Sequence, residues 1–368
     1  DIYFGINYSI KIIKPKNFEN SFSKIILSWG FKKDFNTKGN FYDKYFNTNS
    51  STQKKILWLI LYLDEDLPKK IQSNLVLFKV KGNKIFNIFS WLSFLFSNLP
   101  KILKGFDFFL VNISSFSFLS KKIINLLKNI LAKNYKEVIF PYEGQPFQNE
   151  IIRFFKNRGE KVLITGYIHS PPLAVPTNFI HKQFSPDRIF LNGKDQLFCF
   201  EKNLGWPKKK LHYIPSLRFK KSKFKKEKKI FIPYIVKRHD DVLSMIEYIH
   251  TKKSNLNNHI IQNHPSARNS KSNLKLISKM QNILNKKSSL KKNLYDLIFI
   301  GNAGGISELL EKGFKVLHIC EDPEFESYQS EIWKSIKTTK ISINIFSYKL
   351  KNKGNLIKFG KNNTDLNS

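Results

Sequence analysis

The segment from Tyr295 to Ile319 carries the clearest chemical signal in the sequence. An apolar run, Leu297–Ile300, precedes the glycine-rich stretch Gly301–Gly305, where glycine permits a positive φ. Apolar residues then recur at helical spacing until Gly313, and a second apolar run follows. A glycine turn that opens a helix leaves backbone N–H groups at the positive end of the helix dipole. The segment is therefore suited to hold a phosphate, although an ordinary βαβ crossover has the same pattern.

Two polar loops in the first half of the chain also follow predicted strands. Glu143 comes shortly after the strand Glu137–Phe140, and His169 comes shortly after the strand Val162–Thr165. Ligands of open parallel sheets bind beyond the carboxyl ends of the strands, so we expect both loops to face one cleft. The alternatives are a glutamate that caps the following helix and an ordinary hydrogen-bonded loop histidine.

Alternating strand and helix patterns position these segments and predict an α/β fold with parallel sheets covered on both faces. Ile56–Leu63 is predicted as a central strand, and the charged run Lys220–Lys229 is predicted as a linker. A chain of 368 residues exceeds one ordinary core, so we predict domains over residues 1–220 and 221–335, with a tail, 336–368, that packs back on the first domain. The other predicted strands are Phe108–Val111, Arg188–Leu191, Leu211–Ile214, Ile230–Ile235, His259–Gln262 and Val316–Ile319.

Charged residues at two other turns have both a chemical and a structural interpretation. Lys237 and Arg238 lie at the first strand-to-helix turn of the second domain, where they can hold a phosphate or simply be solvated. Asp64-Glu65-Asp66 follows the predicted central strand and resembles a metal site, but acid-rich turns are common and we predict a solvated turn. No His, Asp and Glu cluster has metal-ligand spacing, so we predict no metal.

The composition indicates a folded, basic protein. Hydrophobic residues make up 41% of the chain and the formal net charge is +35, which suits nucleic acid or an anionic membrane surface. The lysines are scattered and no nucleic-acid motif is recognisable, so we expect no nucleic-acid partner. Cys199 and Cys320 are the only cysteines, which excludes a disulfide framework and fits a cytoplasmic setting. Ile85–Leu99 is too short to span a bilayer and suits either a membrane interface or a buried helix.

Three motifs together resemble glycosyltransferases of the two-domain GT-B fold. Glu308 stands in the first helical turn after the glycines, where these enzymes carry a carboxylate for the donor's ribose. Asn263-His264-Pro265 resembles the motif with which bacterial GT-B sialyltransferases and Kdo-transferases bind CMP. Glu143-Gly144 resembles the second half of their acidic-acidic-glycine motif, although Tyr142 replaces the first acid. The resemblance covers roughly residues 135–320 and extends to bacterial surface-carbohydrate biosynthesis proteins.

The resemblance implies a GT-B fold, with two Rossmann-like domains facing a central cleft, and an inverting, metal-independent glycosyltransferase. It implies transfer of an acidic sugar, Kdo or a sialic-acid relative, from a CMP donor to a surface glycan or glycolipid, with no further cofactor. Glu143 would be the general base, and His169 would orient the base or the acceptor. The residues expected to bind the donor are His264, Pro265, Asn302, Ala303, Gly304, Gly305, Ser307, Glu308, Lys237 and Arg238.

Three alternatives to this function stay open. A UDP-sugar-dependent GT-B transferase and a UDP-N-acetylglucosamine 2-epimerase share the fold and a similar donor site, and a basic nucleic-acid-binding protein is the non-enzymatic alternative. We expect a cytoplasmic protein, and its charge is compatible with peripheral contact at the inner face of an anionic membrane.

Overall fold

The computed structural model describes residues 8–18, 22–82, 92, 95–96, 99–104, 115–131, 135–158, 161–221 and 227–360. Within these ranges the chain forms two α/β units, each built on one large sheet. The α/β class and the two Rossmann-like units expected for a GT-B protein are confirmed. In the described ranges, no helix is long and apolar enough to cross a membrane.

The first unit is organised around an eight-stranded sheet of order β1-β6-β5-β2-β7-β8-β9-β10. The edge strand β1 is antiparallel to β6, and every other pairing in the sheet is parallel. β3 and β4 form a separate two-stranded hairpin. The strands are β1 Tyr8–Ile13, β2 Lys24–Gly30, β3 Tyr42–Asp43, β4 Thr48–Asn49, β5 Ile56–Tyr62, β6 Leu75–Gly82, β7 Glu137–Pro141, β8 Leu163–Tyr167, β9 Arg188–Leu191 and β10 Leu211–Tyr213.

Strand β5 explains why this sheet is buried on both faces. All seven of its residues are buried. Leu57, Leu59 and Leu61 belong to a core that also contains the apolar faces of the helices Ser115–Ile130 and Pro146–Lys156. Trp58 and Ile60 belong to a second core on the opposite face. A continuous apolar run is what a parallel strand covered on both sides requires, and the predicted central strand is confirmed.

The second unit is built on a six-stranded sheet of order β13-β12-β14-β15-β17-β16. Its four N-terminal strands are parallel, and β16 and β17 are antiparallel additions at one edge. β11 pairs with β18 in a small sheet of its own. The strands are β11 Ser216–Lys220, β12 Lys229–Ile232, β13 Ile260–Asn263, β14 Leu297–Ile300, β15 Val316–Ile319, β16 Ile336–Lys340, β17 Ile345–Leu350 and β18 Phe359–Gly360.

Seven α-helices connect these strands in the described ranges. Five-residue π-helical segments, Cys199–Asn203 and Ile249–Lys253, extend the helices Lys194–Phe198 and His239–Tyr248. The helices are α1 Ser115–Ile130, α2 Pro146–Lys156, α3 Lys194–Phe198, α4 His239–Tyr248, α5 Lys271–Asn285, α6 Gly305–Glu311 and α7 Pro323–Glu326.

The segment from Ser335 onward contributes strands to the second sheet and also contacts the first unit. It supplies β16 and β17, and beyond them β18 lies beside β11. Asp195 of the first unit accepts hydrogen bonds from the backbone N–H and the hydroxyl of Ser335, at 2.7 and 3.1 Å. Glu311 accepts from the backbone N–H groups of Leu356 and Ile357, at 2.8 and 3.1 Å. Two buried carboxylates therefore fix this segment between the units.

The N-terminal strands were not predicted from the sequence. β1 lies at the sheet edge, whereas β2 lies in the centre of the first sheet, between β5 and β7. Its apolar residues, Ile25–Leu27, form a run too short to stand out beside the polar sequence around it. The predicted strand Phe108–Val111 and most of Ile85–Leu99 lie outside the described residues.

Candidate functional site

A cavity of about 300 Å³ lies at the carboxyl ends of β12, β13 and β14. This is the edge at which ligands of parallel α/β sheets bind. Aromatic side chains form part of its wall, with the rings of Phe231 and Phe299 stacked 4.5 Å apart and Tyr234 packed edge-on against His264. The predicted donor-binding residues that line the cavity are His264, Pro265, Asn302, Ala303, Gly304 and Gly305.

The glycine turn forms one wall of this cavity. Gly301 adopts a φ of +62° and donates its N–H to the Ile319 carbonyl at 2.8 Å, so the turn begins beside the carboxyl end of β15. Within the described part of the chain, the N–H groups of Asn302, Ala303 and Gly304 donate no hydrogen bond. They are therefore available to an anionic oxygen of a ligand in the cavity.

Ser307 and Glu308, both on α6, do not line the cavity. The Ser307 hydroxyl donates to the Gly304 carbonyl at 2.9 Å and lies 3.4 Å from the Pro172 carbonyl of the first unit. Glu308 pairs with Lys312, one turn later, at 2.7 Å. Ser307 thus stabilises the glycine turn through its hydrogen bond to the Gly304 carbonyl. A ribose contact from Glu308 stays a prediction.

The structure places Glu321 where a phosphate was expected at Lys237 and Arg238. Both backbone N–H groups donate to Glu321 Oε1, at 2.7 and 2.6 Å. The carboxylate therefore takes up the donors at the start of α4. The Lys237 and Arg238 side chains are exposed and do not line the cavity, so the structure does not bring them together with the other donor-binding residues.

Glu143 lies in a tightly held loop between β7 and α2. Gln148 accepts from the Glu143 N–H at 2.9 Å and donates to the Pro141 carbonyl at 2.9 Å. Gly144 adopts a φ of +68°, and an added Cβ there would lie 2.3 Å from the Asn178 carbonyl oxygen. Gln148 thus bonds the loop N–H groups before α2, and the Glu143 carboxylate is left to face the next loop of the sheet.

The partner of Glu143 in that loop is His169. His169 Nε2 lies 3.0 Å from Glu143 Oε1, and the side chains are 4% and 40% exposed, respectively. Burial lowers the pKa of His169 and favours neutral imidazole, although Glu143 opposes this effect. Burial of Glu143 acts to raise its pKa, but the hydrogen bond from His169 and the charge of Arg218 hold that pKa below its ordinary value. Glu143 is therefore an ionised, half-exposed carboxylate oriented by a buried histidine.

Tyr45, Lys44 and Arg218 complete this site and were not predicted from the sequence. The Tyr45 ring packs edge-on against the His169 ring, with 4.3 Å between centroids. Lys44 Nζ and Arg218 Cζ lie 5.3 and 5.9 Å from the Tyr45 ring centroid. Arg218 lies in the short strand β11, and nothing in the sequence distinguished Tyr45 among the many aromatic residues.

The loop after His169 joins this site to the glycine turn. The Pro172 carbonyl accepts from the Tyr328 hydroxyl at 2.7 Å, and the Ala174 carbonyl accepts from Trp333 Nε1 at 2.7 Å. An added Cβ on Gly304 would lie 3.5 Å from the Pro171 carbonyl oxygen. The Glu143–His169 pair and the cavity are thus connected by a short, well-bonded stretch of chain.

The Asp64-Glu65-Asp66 turn is bonded to Lys32 of the first unit. Asp64 accepts from the Lys32 N–H at 2.5 Å, and Asp66 forms an exposed ion pair with the Lys32 side chain at 2.9 Å. Among the described residues, His318, Cys320 and Glu326 are the group whose ligand atoms come within 4.8 Å of one another. They lie behind the glycine turn, where His318 Nε2 contacts the Gly301 carbonyl oxygen at 2.7 Å.

Fold and site together define a two-unit α/β protein with a cavity lined by a glycine turn in one unit and a carboxylate–histidine pair in the other. No protein-family model matches the sequence, and no curated protein matches it significantly. Solved structures similar to this chain include a UDP-forming α,α-trehalose-phosphate synthase from Burkholderia xenovorans, with 12% identity, a TM-score of 0.38 and coverage of 79% of this chain and 76% of the other.

Two further similar structures have comparable scores. A glycosyltransferase from Rickettsia africae has 11% identity, a TM-score of 0.37 and coverage of 83% of this chain and 86% of the other. A UDP-GlcNAc 2-epimerase from Neisseria meningitidis, bound to UDP-GlcNAc, has 9% identity, a TM-score of 0.40 and coverage of 85% of both chains.

Proposed function

We propose that the protein is a glycosyltransferase of the GT-B type that binds a nucleotide sugar in the cavity of the second unit. The observation that carries the proposal is the pairing of two sites: the ionised Glu143 held by His169, and the cavity lined by His264 and the glycine turn. A short bonded loop joins them. Group transfer between two bound substrates needs a base at one site and a phosphate-binding surface at the other.

In the proposed reaction Glu143 accepts the proton of the attacking acceptor hydroxyl. The hydroxyl oxygen bonds to the anomeric carbon of the donor while the bond from that carbon to the phosphate oxygen breaks, and the configuration is inverted. The departing phosphate keeps the electron pair. Donors on the chain stabilise its charge, namely the N–H groups of Asn302, Ala303 and Gly304 and the imidazole of His264.

The donor is proposed as a CMP-linked acidic sugar because of the motif Asn263-His264-Pro265, and a surface glycan is the proposed acceptor. UDP is the nucleotide in the names of two of the similar proteins, so a UDP sugar is the second donor to be tested. The aromatic wall of the cavity suits the stacking of either pyrimidine base.

The proposal is tested with a thermal-shift panel of CMP, CDP, UDP, GDP and ADP, since a ligand that binds only the folded state raises the Tm. We expect a shift with CMP or UDP that is lost in His264→Ala and kept in the control His181→Ala, which alters an exposed histidine of the first unit. Isomerisation of UDP-N-acetylglucosamine without any acceptor would instead identify an epimerase. Absence of a shift with every nucleotide would refute the proposal.

A further inference from the structure

Two cations lie near the proposed base, and neither of them lines the donor cavity. Lys44 comes from the β3–β4 hairpin and Arg218 from β11. Both lie against Tyr45, and the Tyr45 ring in turn packs against His169. Three segments far apart in the sequence therefore converge around the Tyr45 ring, beside the histidine that holds Glu143.

These cations are held by aromatic rings and not by carboxylates. Lys44 Nζ lies 4.7 Å from the Phe31 ring centroid, and Arg218 Cζ lies 5.2 Å from the Phe219 ring centroid, in addition to their contacts with Tyr45. Neither side chain forms an ion pair with any residue in the described ranges. A cation–π contact positions a cation without neutralising it, so both positive charges stay available to an anion.

The exposed side of this site presents cationic donors. Glu143 is hydrogen-bonded by His169, and the buried carboxylate of Asp43 accepts the backbone N–H groups of Tyr45 and Phe46. The exposed guanidinium of Arg218 presents the planar donor pair that matches a carboxylate or a phosphate.

We propose that Lys44 and Arg218, positioned by Tyr45, form a subsite for an acidic group carried by the acceptor, either a sugar phosphate or a sugar carboxylate. This inference rests on the proposed function and adds the chemical class of the acceptor. The anion would lie across the Tyr45 ring from the imidazole of His169, so that its sugar presents a hydroxyl to Glu143. A neutral sugar would leave the two cations uncompensated and would bind less tightly.

The subsite is tested by calorimetric titration of the full chain with glucose 6-phosphate, glucuronate, glucose and inorganic phosphate. We expect the charged sugars to bind at least tenfold more tightly than glucose, and Arg218→Gln and Lys44→Gln each to weaken that binding about tenfold. The controls are Arg188→Gln and Lys38→Gln, which remove one exposed positive charge elsewhere in the first unit. The two sugars distinguish a phosphate from a carboxylate as the preferred group.

Each other outcome of this test is decisive. Equal losses in the control variants would show that the overall positive charge binds the anion, and the subsite would be rejected. Loss of binding to a CMP-linked acidic sugar, with CMP binding and charged-sugar binding unchanged, would assign the cations to the donor and overturn the proposal. Nucleotide binding in the cavity is read separately by thermal shift, so a failed subsite leaves the proposed function standing, whereas a failed nucleotide panel refutes that function directly.

Discussion

His169 Nε2 lies 3.0 Å from Glu143 Oε1, and this hydrogen bond joins a buried imidazole to a half-exposed carboxylate. The two residues follow neighbouring parallel strands, β7 and β8, at the carboxyl edge of the first sheet. The histidine fixes one oxygen of the carboxylate, and the exposed part of the group faces solvent. Glu143 is therefore the group that is accessible to a substrate, and His169 is the group that positions the Glu143 carboxylate.

Replacing Glu143 should separate binding from turnover. Glu143→Gln keeps the size of the side chain but removes the base, and we expect a loss of about 10²–10⁴-fold in turnover of whichever nucleotide sugar binds. The thermal shift with nucleotide should be unchanged. Gln145→Glu, which adds a carboxylate two residues away, should not restore turnover, and recovery in that double variant would contradict the role of Glu143.

Replacing His169 should change the pH profile as well as the rate. The hydrogen bond from His169 lowers the pKa of Glu143, so the acidic limb of the turnover profile in the native protein lies below the ordinary range of a glutamate. In His169→Phe that bond is absent, the pKa of Glu143 rises, and the limb moves to higher pH. A rate that falls equally at every pH would indicate a structural role only.

Gly144 and Gly354 both have a positive φ, but only Gly144 is closely packed, so alanine should reduce stability more at Gly144 than at Gly354. Gly144→Ala forces a Cβ to 2.3 Å from the Asn178 carbonyl oxygen at a φ of +68°, and we expect a loss of about 2–4 kcal/mol in the free energy of unfolding. Gly354 has a φ of +83° with nothing within 4 Å, so Gly354→Ala should cost only about 1 kcal/mol. Urea unfolding of both variants measures the difference, and equal losses would contradict the close contact at Gly144.

Burial of Asp43 should make stability depend on pH. Burial raises the pKa of Asp43 from 3.8 to about 6, although its carboxylate accepts the Tyr45 and Phe46 N–H groups. The folded state then binds a proton more tightly than the unfolded state, so this contribution to stability is complete below about pH 4 and is lost as the pH rises to about 6. Its size is about 3 kcal/mol.

The variant Asp43→Asn keeps an acceptor oxygen and removes the titration. We expect the difference in unfolding free energy between this variant and the native protein to change by about 3 kcal/mol from pH 4 to pH 7. The control Asp240→Asn alters an exposed aspartate and should show no such change. A constant difference across the range would refute the prediction.

Glu321 should stabilise the start of α4 and exclude other anions from it. Glu321→Ala removes the acceptor of the Lys237 and Arg238 N–H groups, and we expect a loss of about 1–2 kcal/mol in stability. Glu321→Gln keeps a carbonyl acceptor and should lose less. The control Glu324→Ala alters an exposed residue on α7. Thermal unfolding of the three variants provides the measurement, and an unchanged Tm in Glu321→Ala would contradict this role.

The sequence by itself determined where the strands around the cavity lie. Leu297–Ile300 and Val316–Ile319 have the bounds that the apolar runs predicted, and so does Arg188–Leu191 in the first sheet. The other two strands at the cavity, β12 and β13, were predicted as Ile230–Ile235 and His259–Gln262, with bounds that differ by one to three residues. These features are local, because an apolar run, a turn glycine and a His-Pro pair express their conformational preferences within a few residues. The predicted contribution of His264 and Asn302 to a common cavity also follows locally, because both stand at carboxyl ends of parallel strands.

Only the tertiary structure decided which charged groups meet. Glu321 bonds the N–H groups of Lys237 and Arg238 from more than 80 residues away, and no local pattern marks that contact. Tyr45, Arg218 and His169 come from a hairpin, a short strand and a loop, and the strands next to Tyr45 and Arg218 lie outside the sheet that carries His169. Side-chain partners set by packing between separate sheets are long-range properties, so their identity could not be read from spacing along the chain.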